Sequence, residues 1–228
     1  MSYVFPMILV MQKKLVEQAD PVAALEMQRY MKIPTPFYGV KAPERREIFK
    51  QAREHTKITT FQQYAGLIRW LWCGQYREEQ YLALDVAEHY KALRNDERAL
   101  DLFIELMESA DHWDTLDKLA SALIGPKLIH SEDLIGYVTA WRQSESLWVR
   151  RAALLVMLKH KTEVNRELLE ETVRVLSTED EFFIRKAIGW LLREHGKTSP
   201  DWVKSLLSEV SLSALSYREA NRIMVLEM

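Results

Sequence analysis

The chain has 228 residues, 48% hydrophobic and 28% charged, with 31 Lys and Arg against 33 Asp and Glu for a formal net charge of −2. This is an ordinary soluble globular balance, long enough to bury a sizeable core, and it provides no global pull toward nucleic acid. Seven glycines and seven prolines argue against a turn-rich all-β protein, and the single Cys73 rules out an internal disulfide framework and fits a reducing, cytoplasmic setting.

Helical periodicity runs along almost the whole chain, and sustained alternation is nearly absent. The apolar opening YVFPMILVM is too short to span a bilayer and has no basic leader or small-residue cleavage site. It reads as part of a first amphipathic helix over 5–18 of a soluble, non-exported protein. Further helices are expected at 21–32, 43–54, 60–72, 77–92 and 96–108, with the Pro-rich IPTPFYG (33–39) as an extended loop. The next helix, 113–124, is expected to stop at Gly125-Pro126, followed by helices at 131–142, 146–160, 163–176, 181–195, 199–209 and 215–226. Ser131 with Asp133, and Thr178 with Glu181, look like helix starts, and Pro200 suits a first helical turn.

Two segments repeat at a spacing of 35 residues: LWVRRAALLVMLKH (147–160) and FFIRKAIGWLLREH (182–195). Helix pairs repeating at about this length indicate an all-α superhelix, a HEAT- or armadillo-like solenoid with a concave face for a long ligand. No linker or low-complexity stretch interrupts residues 1–228, so one domain is expected.

Asp117, Arg151 and Lys186 fall 34 and 35 residues apart in successive apolar helices, so stacked repeats place them on one face. Trp113 precedes Asp117 by four residues and Trp190 follows Lys186 by four, which puts each indole beside its charged neighbour. Each alone has a plain structural explanation: a core tryptophan, or an Asp paired with Lys118. Together they point to chemistry on the concave surface. Basic stretches around Arg150 and Arg151, and around Arg185 and Lys186, suit either a phosphate-binding strip or solvated helix faces. The six histidines make no HxxxH or HExxH pair, and there is no P-loop, GxGxxG or nucleophile elbow, so no metal or cofactor is expected. His160 and His195 occupy matching positions near helix C-termini, where interaction with the helix dipole is expected.

The segments QRYMK, GVKAPERR, LWCGQYREEQYLALD, HWDTLDKLA, LWVRRAA, EFFIRKAIGWLLREH and LSYREA, in this order over roughly residues 25–220, resemble the AlkD family of DNA alkylation repair glycosylases. The resemblance implies HEAT-like repeats and hydrolysis of the N-glycosidic bond of cationic N3- and N7-alkylpurines in duplex DNA, without base flipping. It implies that Trp113, Asp117 and Trp190 surround the lesion, that Arg151 grips a backbone phosphate, and that Tyr30 is a further cleft residue. Arg150, Arg185 and Lys186 are the other expected DNA contacts. A cytoplasmic monomer whose partner is alkylated double-stranded DNA is expected. The alternatives are a non-catalytic repeat protein that binds distorted or branched DNA, and a protein–protein adaptor.

Overall fold

The computed structural model describes residues 4–222, and among them every regular element is helical, with no strand. The chain divides into two compact units, 1–102 and 103–228, each described by itself below.

The first unit contains α1 (Phe5–Glu17), α2 (Pro21–Met31), α3 (Ala42–His55), α4 (Phe61–Trp72), α5 (Arg77–His89) and the short α6 (Lys91–Arg94). Helix α1 packs on α3, α3 on α5, and α5 on α4. Starts follow local chemistry: the Asp20 carboxylate accepts the Val22 and Ala23 N–H groups ahead of Pro21, and Thr60 and Gln63 close a capping box. The Pro-rich loop is held by a buried carboxylate. Glu78 is 0% exposed and accepts the N–H groups of Tyr38, Gly39 and Val40 at 3.0, 2.9 and 3.1 Å. Gly39 has φ +86°, and a Cβ there would lie 2.1 Å from the Asp20 carbonyl, so only glycine fits.

Helix α7 (Ala99–Glu108) spans the boundary between the units. The second unit continues with α8 (Trp113–Lys118), a π-helical segment (Leu119–Ile124), α9 (Gly125–Leu128), α10 (Leu134–Trp141), α11 (Leu147–Leu155), α12 (Arg166–Leu176), α13 (Phe182–Gly196), α14 (Pro200–Glu209) and α15 (Ala214–Asn221). Helix α11 packs against α8, α10, α12 and α13, and α13 also packs against α14 and α15. This is the layered helix-on-helix order of a repeat protein.

The structure departs from the expected elements at helix boundaries: the expected 146–160 ends at Leu155, and 77–92 breaks at Tyr90. Gly125-Pro126 does not end the helix that starts at Trp113; the backbone widens to π geometry over 119–124 and continues to Leu128. The wider turn lets the Gly125 N–H reach back to the Ala120 carbonyl, five residues away, and accommodates a proline that lacks an N–H. Thr178 closes α12 by donating its hydroxyl to the Val175 carbonyl, and Glu181 starts α13 without a side-chain cap. The last helix runs over 214–221, and the end of the expected 215–226 lies outside the described residues.

His160 and His195 tie consecutive repeats together. Each is 1% exposed, and the Nε2 of each lies 3.0 Å from a carbonyl of the preceding layer, Gly125 for His160 and Met157 for His195. A carbonyl only accepts, so Nε2 carries a proton, while the buried Nδ1 of each ring has no hydrogen-bond partner among the described residues, which favours the neutral ring. Burial pushes both pKa values below the ordinary histidine value. The expected interaction of a charged imidazole with the helix dipole is therefore replaced by a neutral hydrogen bond.

Candidate active site

The site begins where His112, in extended conformation (φ −159°, ψ 159°), turns into α8. Trp113 occupies the first helical position and Asp117 follows one turn later on the same face; both are half-buried. The Asp117 carbonyl accepts the Ser121 hydroxyl at 2.6 Å, which ties the residue to the π-helical segment behind it.

Arg151 of α11 grips the Asp117 carboxylate with both arms of its fork: Nε donates to Oδ1 at 2.7 Å and Nη2 to Oδ2 at 2.8 Å. Its Nη1 donates to the Phe183 carbonyl at the start of α13. The Arg151 and Asp117 side chains are only 6% and 17% exposed, so solvent screens the pair weakly. Burial pushes the Asp117 carboxyl above the usual carboxylate range, and the guanidinium opposes that shift. The result is a desolvated anion with a fixed orientation.

An aromatic cluster adjoins this pair. The His112 ring centroid lies 5.7 Å from Trp113, 5.4 Å from Trp148 and 6.2 Å from Phe183, and Trp148 and Phe183 are 5.0 Å apart. His112 Nδ1 lies 3.2 Å from Asp114 Oδ1, in a contact nine-tenths buried on both sides. His112, Trp148, Phe183 and Asp114 were not among the expected site residues. A signal for two of them existed, because Trp113, Trp148 and Phe183 stand 35 residues apart, an aromatic at each repeat start.

The remaining expected residues are distributed as follows. Trp190 and Lys186 lie one turn apart on α13, both half-buried, with the Lys186 Nζ 3.0 Å from Glu219 Oε1. Arg150 forms a two-bond fork with Glu179 at 2.8 and 3.1 Å and donates to the Ser144 and Glu145 carbonyls. Arg185 pairs with Asp180, whose side chain is 96% exposed, and donates to the Glu179 carbonyl. Tyr30 lies in the first unit, on α2, and is 76% exposed. The structure thus joins Asp117 directly to Arg151 and gives Arg150, Arg185 and Lys186 acidic partners of their own. In this structure the Nε and Nη2 of Arg151 face Asp117, and its side chain is almost wholly buried.

No three His, Cys, Asp or Glu side chains gather in a metal-binding cluster among the described residues. None of the described helices is long and apolar enough to cross a membrane.

Comparison with known proteins gives this chain a family. A solved structure of a predicted DNA alkylation repair enzyme from Enterococcus faecalis is similar, with a TM-score of 0.78 and 30% sequence identity, over 91% of this chain and 97% of that one. No curated protein matches the chain. The family model described as DNA alkylation repair enzyme matches residues 11–224, and the chain belongs to that family.

Proposed function

We propose that the protein is a DNA glycosylase, hydrolysing the N-glycosidic bond of cationic N3- and N7-alkylpurines in duplex DNA without extruding the base. The observation that carries this reading is the half-buried Asp117 carboxylate, held in a fork by Arg151 and sharing a helix face with Trp113.

An alkylated purine is already cationic and leaves readily, so the step needs little general-acid help. The difficulty is the positive charge that develops on the deoxyribose as the C–N bond breaks. A carboxylate in a poorly solvated, fixed position stabilises that charge and orients or deprotonates the attacking water. Half-buried indoles at Trp113 and Trp190 add cation–π attraction of ~0.5–2 kcal/mol each. Arg151 acts as the holder of Asp117, and Tyr30, Arg150, Arg185 and Lys186 serve DNA contacts, the last three by exchanging their present carboxylates for phosphates. A monomer in the cytoplasm suffices for this activity.

One observation favours a second reading. Both Asp117 oxygens are already engaged, as they would be in a purely structural staple between repeats, and this suits a non-catalytic protein that binds distorted or branched DNA. Duplex DNA containing N7-methylguanine separates the two: free base released above the spontaneous rate supports the glycosylase. DNA binding without release refutes it and favours the second reading.

A further inference from the structure

The first unit contains a cavity of ≈ 680 Å³ to which the proposed chemistry assigns no task. We propose that it is a binding site for a planar, purine-sized nitrogen heterocycle. Its size falls within the range of pockets that take small organic ligands.

Gly66 keeps the cavity open. It lines the space from the middle of α4, and a Cβ built there would meet nothing within 4 Å. Glycine is disfavoured inside a helix, and no close backbone approach requires it here. Any larger side chain would project into the empty space.

The walls suit a flat ring. Tyr38 and Tyr76 stack with centroids 3.9 Å apart and planes 20° apart, and the half-buried Trp70 adds an indole. The hydroxyls of both tyrosines, the Trp70 indole N–H and the Gln75 amide have no hydrogen-bond partner among the described residues. Burial pushes the Tyr38 phenol up to about 12, so at neutral pH it is an O–H donor. A pure hydrocarbon would leave these groups unsatisfied, whereas a purine ring offers stacking faces together with acceptors and donors on its edges.

The floor is a fixed anion. Glu79 is 2% exposed, with Oε1 accepting from the Gln12 amide at 3.2 Å and Oε2 from the Tyr76 N–H at 3.0 Å. A Cβ on Gly74 would lie 2.6 Å from the Glu79 side chain, so this carboxylate is packed in place. Together with the Arg69 guanidinium, which also lines the space, it offers a ring edge both an acceptor and a donor of opposite charge. The choice of purine among two-ring heterocycles rests on the glycosylase reading; the cavity, its rings and its unpaired donors do not.

The ring could come from a free base or from a base in a single strand. Saturation-transfer NMR on the full chain, with free 7-methylguanine in one arm and a short single-stranded purine oligonucleotide in the other, tests the site and identifies the source. Wild-type protein is expected to transfer saturation to purine ring protons in at least one arm. Gly66→Leu, which projects an isobutyl group into the cavity, is expected to weaken that binding at least tenfold while base release from alkylated duplex is unchanged, and Trp70→Ala to weaken it as well. Equal binding by wild type and Gly66→Leu, or no binding in either arm, overturns the site. Binding lost in Gly66→Leu supports the site even if the wild type releases no base from alkylated DNA, a result that would overturn the glycosylase reading alone.

Discussion

Arg151 and Asp117 meet fork to carboxylate across two packed helices, at 2.7 and 2.8 Å, although their repeat positions do not correspond. A strict 35-residue period pairs Arg151 with Leu116, a fully buried residue, and pairs Asp117 with Ala152. Arg151 therefore starts from the buried side of its helix and reaches back to a carboxylate one residue further along α8. The two groups are contact partners, not neighbours along a stripe.

The fork makes the two residues unequal in mutation. Arg151→Met strands a buried carboxylate and is expected to cost ~3–5 kcal/mol of stability, whereas Asp117→Asn keeps an acceptor for the fork and costs less. Base release shows the other half of the difference: Asp117→Asn is expected to lose ~10²-fold or more while remaining folded and DNA-competent. Urea unfolding beside a single-turnover excision assay measures both. Wild-type excision by Asp117→Asn would remove Asp117 from the mechanism.

Acid should loosen the stacking of repeats. The folded pKa values of His160 and His195 are lowered by burial, so between those values and the unfolded value near 6.5 the unfolded chain binds more protons. Their contribution is complete above the unfolded value and declines as pH falls through it. Melting temperature is expected to drop between about pH 7.5 and pH 5.5, with a shallower drop in the His160→Gln/His195→Gln double variant, whose amides still donate to the same carbonyls. Parallel profiles for the two proteins would exclude these histidines as the cause.

Gly125 and Gly66 should respond oppositely to the same methyl group. A Cβ on Gly125 would lie 2.3 Å from the Val156 carbonyl, so Gly125→Ala is expected to destabilise by ~1–3 kcal/mol. Gly66→Ala meets open space and is expected to stabilise by ~0.5–1 kcal/mol through helix propensity. Denaturant midpoints for the two single variants provide the comparison.

Glu78 should govern the order of the 38–40 loop. Glu78→Gln turns one acceptor into an amide that faces backbone N–H donors, an expected loss of ~1–3 kcal/mol. Limited proteolysis should then cut near residues 33–40 before the rest of the chain. Unchanged protection there would show that the loop is anchored by other contacts.

Much of this architecture was legible in the sequence, for a physical reason. A helix declares itself through local spacing, and the 35-residue echo between 147–160 and 182–195 announced the repeat. Helix ends at Pro21 and Pro200 were equally local. The continuation past Gly125, reached through a π-helical segment, was not, because proline reads as a stop unless a neighbouring layer makes the wider turn worthwhile. Placing Trp113 and Asp117 together required only helical phase. Whether Arg151 faced a phosphate or a carboxylate depended on a one-residue offset between layers, and no single-chain periodicity resolves that. The partners of Arg150 and Lys186, Glu179 and Glu219, lie 29 and 33 residues away, beyond any local pattern.

The two histidine hydrogen bonds also couple the layers to one another. The Met157 carbonyl that receives His195 lies in the turn following α11, and the Gly125 carbonyl that receives His160 belongs to the layer before it. Opening any one of these layers therefore breaks a buried bond to its neighbour. Native-state hydrogen exchange should register this as a cooperative block, with the buried amides of α11 and α13 protected to a similar degree.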